Sequence, residues 1–114
     1  MPISFTAGSA TISTTEWSLP ANASGPTSQT TQGVFSFFID LGALTSGETY
    51  AVRLYEKHDG TGTQRLIEEW VLSGLQGSPM FVIPAQLLGS GWDVTMVKLA
   101  GTDRTINWSI RRIY

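Results

Sequence analysis

The stretch TINWSIRRIY alternates apolar and polar residues with a period of two, and VFSFFIDL and TYAVRLYEK do the same. Successive side chains of a strand point to opposite faces, whereas a helix repeats about every 3.6 residues, so this alternation confines the chain to strands with one face against a core. The core face is Phe35, Phe37, Ile39 and Leu41 in VFSFFIDL, Tyr50, Val52 and Leu54 in TYAVRLYEK, and Ile106, Trp108 and Ile110 in TINWSIRRIY. Ile12 and Leu19 in ATISTTEWSL, and Trp92, Val94 and Met96 in GWDVTMVKLA, extend the same set.

One segment fits two periods. In QRLIEEWVL the residues Leu66, Ile67, Trp70 and Val71 also lie on one face of a helix. No good N-cap precedes it, while HDGTGT supplies Asp-Gly for a hairpin turn, so the strand reading is preferred, with Leu66, Trp70 and Leu72 facing one way. Glu68 then falls on the apolar side and marks a bulge or a sheet edge. Pro84 in MFVIPAQLL confines that strand to an edge or ends it. Pro20 to Gly33, PANASGPTSQTTQG, lacks an apolar anchor and reads as a long exposed loop, of the kind that is either functional or disordered.

About seven strands bounded by Gly and Pro turns predict an all-β fold, a single antiparallel β-sandwich of immunoglobulin-like or jelly-roll type. Residues 1–8 are expected as an N-terminal arm and 9–114 as the sandwich domain. A chain of 114 residues can bury roughly two thirds of its unfolded surface, enough for one core. It needs no staples, and with no cysteine it has no disulfide framework, thiolate metal site or cysteine nucleophile.

The net charge is −2 and the basic residues are scattered, which excludes the electrostatic footprint of a nucleic-acid binder. No apolar run reaches the roughly 20 residues that span a bilayer, and MPISFTAGSATIS lacks the basic and apolar regions of a secretory signal, so cytosolic synthesis and no membrane role are expected. Asn22-Ala-Ser24 and Asn107-Trp-Ser109 read as chance matches to the glycosylation pattern.

No catalytic, cofactor-binding or metal-binding residues are expected. His58, the only histidine, sits at the hairpin tip and can build neither a triad nor a zinc site alone. Glu68 and Glu69 are neighbours, which on a strand puts them on opposite faces. Asp40, Asp59 and Asp103 adjoin turns, where carboxylates bond backbone N–H groups. GTGTQR and GSGW lack the Lys and helix of a phosphate loop.

Two places remain as candidates. Trp17, beside the long loop, is the tryptophan most readily exposed as a ligand-facing platform; Trp92 and Trp108 follow the core pattern. Arg111, Arg112, Ile113 and Tyr114 carry the last strand past its core face, and together with Ile3 and Phe5 they form the expected protein interface, because Arg and Tyr are enriched where surfaces dock.

The blocks EWSLP, VFSFFIDL, YEK, GTQR, LSG, GWDVT and GTDRTINWSIRR, which span most of the chain from about Ser13 onward, resemble a group of small uncharacterised proteins of tailed bacteriophages and environmental viral genomes. The resemblance implies a non-enzymatic virion component, foremost a capsid decoration or cement protein made in the host cytoplasm. Its expected partners are the major capsid protein, other virion proteins and copies of itself. A tail or connector component, or a carbohydrate- or receptor-binding module using Trp17 and the loop, is the alternative.

Overall fold

The computed structural model of the chain describes residues 3–59, 61–74, 77 and 79–113. Among them every regular element is a strand: β1 Ile3–Ile12, β2 Trp17–Ser18, β3 Ala23–Ser24, β4 Gly33–Asp40, β5 Thr49–Glu56, β6 Arg65–Ser73, β7 Met80–Leu88, β8 Asp93–Ala100 and β9 Arg104–Ile113. They form two antiparallel sheets, four strands in the order β1-β9-β4-β7 and five in the order β3-β2-β8-β5-β6. This is a β-sandwich of seven long strands and two short ones, as the alternation predicts. The segment expected as an arm runs from Ile3 straight into β1, which pairs with β9 over its whole length.

The core lies between the sheets. Phe35, Phe37, Ile39, Ile106, Trp108 and Ile110 from the four-stranded sheet meet Tyr50, Val52, Leu54, Val94 and Met96 from the five-stranded sheet, with Trp92 just ahead of β8. The Trp92 ring sits 4.6 Å from that of Phe35 and 5.9 Å from that of Phe37. Each fully buried Val, Leu, Ile, Phe or Met side chain contributes roughly 1.5–3 kcal/mol relative to exposure, so this cluster is the main source of stability.

β6 is a strand and pairs with β5 across the Asp59 turn, where Asp59 Oδ1 accepts from the N–H groups of Thr61 and Gly62 at 2.9 and 3.0 Å. Glu68 does mark an irregular edge: the register shifts between Leu54 and Tyr55, so that Ile67 is the extra residue. One expectation fails there. The bulge turns Leu66 to the side opposite Trp70 and Leu72, and it is exposed. Trp70 stays half-buried and closes the sandwich flank edge-on against Phe81 of β7, at 5.8 Å.

The long loop is also fastened more firmly than its composition suggests. Gln29 exchanges backbone bonds with Trp92 and Gly91 at 2.7 and 2.6 Å, and the Trp92 indole N–H donates to the Thr31 carbonyl at 2.7 Å. Gln64 Nε2 donates to the carbonyls of Thr27 and Gly91. Hydrogen bonds to backbone, which composition does not encode, replace the missing apolar anchors.

Two close contacts generate predictions. Gly8 of β1 lies beneath the buried Trp108 indole, and a Cβ there would stand 2.6 Å from ring carbons. The ring has no room to yield, so Gly8→Val should destabilise the fold by about 1–3 kcal/mol in urea unfolding. At the other end of the sandwich, buried Glu48 accepts from the Thr45 N–H at 2.7 Å and from Arg104 Nε at 2.6 Å. The Thr45 N–H foremost, and the Arg104 guanidinium after it, hold its pKa below the ordinary 4.5, against the opposing effect of burial. A lowered folded pKa contributes stability that is fully present above pH 4.5 and lost as pH falls through the folded value. Urea midpoints of Glu48→Gln should therefore be lower at neutral pH and decline less steeply below pH 4.5 than those of the parent chain.

Candidate functional site

The two outer faces of the sandwich differ in kind. On the five-stranded sheet, the outward residues of β8 are Asp93, Thr95 and Val97, all buried, because the chain between β1 and β4 folds over them. Glu16 accepts from Arg53 Nη1 at 3.0 Å and from the hydroxyls of Tyr55 and Thr95. Asp93 accepts from Ser18 Oγ at 2.8 Å and from the Thr27 N–H at 2.7 Å. Burial pushes the Asp93 carboxyl pKa up, and these donors pull it partly back. The centre of this face is occupied by its own polar network, while Leu66 and Val71 stay exposed at its β6 edge.

The outer face of the four-stranded sheet has no such cover among the described residues, and much of it is apolar. The registers set four rungs across it: Ile3, Ile113, Val34 and Leu87; then Phe5, Arg111 and Ser36; then Ala7, Ser109, Phe38 and Val82; then Ser9, Asn107, Asp40 and Met80. Each is out of phase with the buried set Phe35, Phe37, Ile39, Trp108 and Ile110, so all face outward. Leu87 is 83% exposed, Ile3 66% and Phe5 62%, and Met80 and Val82 add to the patch. Monomers rarely expose contiguous apolar area of this kind without a use for it.

Arg111 stands at the centre. Its guanidinium lies 3.9 Å from the centroid of the Phe38 ring and 5.6 Å from that of Phe5, an arrangement in which the cation covers aromatic faces. Shallow depressions of about 190 and 210 Å³ lie on either side, one lined by Ile3, Val34, Phe38 and Ile113 and the other by Phe38, Met80 and Asn107. A charged fork set among apolar residues can receive a carboxylate or a backbone carbonyl while its surroundings exclude water.

The structure thus brings Ile3, Phe5, Arg111 and Ile113 to one face, from opposite ends of the chain. Arg112 goes elsewhere: it points inward, lies 5.9 Å from the Phe35 centroid and donates to the Gln32 carbonyl, closing the sandwich mouth. Tyr114 lies outside the described residues. Nor does β9 run out beyond the sheet as a tail. It is a central strand, laddered to β1 and β4 up to Ile113. Sequence reasoning missed Val34, Phe38, Met80, Val82 and Leu87; the second apolar phase of VFSFFIDL, with Val34 and Phe38 opposite the core set, was the available signal.

Trp17 is half-buried against the core, and its indole N–H donates to Asn22 Oδ1 at 3.0 Å. A separate cleft of about 190 Å³ opens between β1 and the loop, bordered by Ser4, Thr6, Gln29, Thr31 and Arg112 over a floor of Phe35 and Trp92. Among the described residues no three His, Asp or Glu side chains group as metal ligands, and no helix is long and apolar enough to cross a membrane.

No family model matches the chain, and no curated protein matches it. Among solved structures it is similar to a chain from Bacillus endospore appendages, which are described as a novel family of disulfide-linked pili. The identity is 16% and the TM-score 0.49, over 97% of this chain and 86% of that one. The present 114 residues contain no cysteine, so disulfide linkage is closed to them.

If Arg111 shields the rings beneath it, Arg111→Ala should cost only about 0.5–1 kcal/mol of stability, the usual worth of an exposed cation–π contact. The same variant should bind more of a hydrophobic fluorescent dye than the parent chain at equal fold content by circular dichroism. Unchanged dye binding would show that the guanidinium covers nothing.

Proposed function

We propose that this chain is a non-enzymatic structural protein of a virion, which decorates the capsid by laying the outer face of its four-stranded sheet on shell subunits. The observation that carries the reading is the uncovered, largely apolar face centred on Arg111, set against the other outer face, whose centre along β8 is covered. The resemblance of EWSLP, VFSFFIDL, GWDVT and GTDRTINWSIRR to small phage proteins supplies the setting. A decorating protein stabilises an assembled lattice by binding it better than free subunits, and apolar burial around the Arg111 cation suits that task. Binding at many equivalent positions strengthens the lattice as a whole.

A second reading, a module that binds glycans or a receptor, moves from Trp17 to the cleft between β1 and the loop, where hydroxyl and amide groups ring an aromatic floor. Tryptophan fluorescence of the purified chain against a glycan panel tests it, and no response across the panel would remove it.

For the first reading, quantitative mass spectrometry of purified particles should find this chain in a simple lattice ratio to the major shell protein. Particles stripped of it should rebind the parent chain but not the double variant Val82→Lys, Leu87→Lys, whose substitutions sit at exposed positions and spare the core. Absence from the particles, or full rebinding by the folded double variant, would overturn the proposal.

A further inference from the structure

The three long edge strands are not equally guarded. β7 carries Pro84, which has no N–H to offer a neighbour, and a register shift opposite Phe35 and Phe37. β6 carries Arg65, Glu68, Glu69 and the bulge at Ile67. β1 carries none of these devices. ISFTAGSATI is ten residues without charge, proline or bulge, in unbroken register with β9 from Ile3 opposite Ile113 to Ile12 opposite Arg104. Among the described residues no backbone hydrogen bond outside the β9 ladder reaches it; the first such bond is at Ser13, whose carbonyl accepts from Lys98 N–H as the chain leaves the sheet. Alternate N–H and C=O groups of β1 therefore face outward in a straight row, which is a template for another strand.

We infer that β1 pairs antiparallel with β1 of a second copy of this chain about a two-fold axis, joining two four-stranded sheets into one of eight strands. A two-fold seam sets each strand against itself, so it penalises a charged edge and not a neutral one. β6 against its own copy would bring Glu68 and Glu69 towards their equivalents; β1 has no charge to oppose. Full overlap centres on Ala7 and sets Phe5 against Ser9 and Ile3 against Thr11 on the outward side. The inward residues Ser4, Thr6, Gly8 and Ala10 are all small, so no bulky side chain stands in the way. Nine overlapping residues, Ile3 to Thr11, at about 3.3 Å each give a seam of about 30 Å, most of the length of a body whose longest extent is 39 Å. The seam covers part of the exposed Ile3 and Phe5 surface. It also places two Arg111-centred faces side by side, so the inference deepens the docking reading, although the pairing itself does not require it.

Sedimentation velocity on the purified chain, from micromolar to submillimolar concentration, tests the pairing. The parent chain should shift to twice the monomer mass. Ala7→Lys and Ala7→Glu, both at an exposed position, should each raise the dimer dissociation constant more than about tenfold by setting like charges opposite one another, and an equimolar mixture of the two should dimerise again. A parent chain that stays monomeric throughout, or a dimer indifferent to either folded variant, would overturn the inference. Should both variants misfold, hydrogen exchange of the parent chain decides: amide protection in β1 must rise with concentration, and flat protection there counts against the seam. Val82→Lys, Leu87→Lys, placed on the far edge, should dimerise normally. A dimer that ignores the particles therefore removes the docking reading alone, and a monomer that binds them removes this one alone.

Discussion

The Trp92 indole is where the two sheets are locked to each other. Its ring packs against Phe35 and Phe37 of the opposite sheet, and its N–H ends on the Thr31 carbonyl, so one side chain joins the core to the loop. A buried indole whose one donor lacks a partner is costly, and meeting that need fixes where the loop runs. The same segment supplies the Thr27 N–H to Asp93 on the outer face of the five-stranded sheet, where Ser18 of β2 stands beside β8 and Glu16 reaches Thr95 and Arg53. The asymmetry between the two outer faces thus rests on this loop together with the β2–β8 pairing and the Glu16 contacts.

Legibility followed periodicity. Where alternation was strict, as in β4, β5 and β9, the core residues could be read directly, because a half-buried strand has only one way to place them. Glu68 announced the irregular edge at β6, but the bulge that reversed Leu66 depends on pairing with Tyr55, a contact no local pattern contains. The loop is exposed, as read, but its anchors were not legible, for a related reason: they are the backbone bonds of Gln29 and the reach of Gln64, and both depend on residues far away in sequence.

The interface residues divided along the same line. Arg111 and Arg112 are adjacent, and alternation alone said that they part company; which one reaches a docking surface depended on which face the rest of the chain had already covered. Phe38 and Val34 were visible as apolar residues out of phase with their strand's core. Their meaning came only from the registers that bring Ile3, Ile113, Leu87 and Val82 beside them. The face is a property of four strands, no two of them consecutive in the chain.

The pairing of β1 with β9 has a consequence for how the molecule comes into being. Of the nine strands described, β1 comes first in the chain and its neighbour β9 last, so closing that ladder means bringing together segments about ninety residues apart. Such long-range pairing carries a large entropic cost before any contact repays it, and it makes folding slow. Until β9 arrives, the neutral ISFTAGSATI segment has two open sides instead of one. Before that ladder closes, the least protected strand is available to other partners, and only pairing with Arg104–Ile113 covers one of its edges.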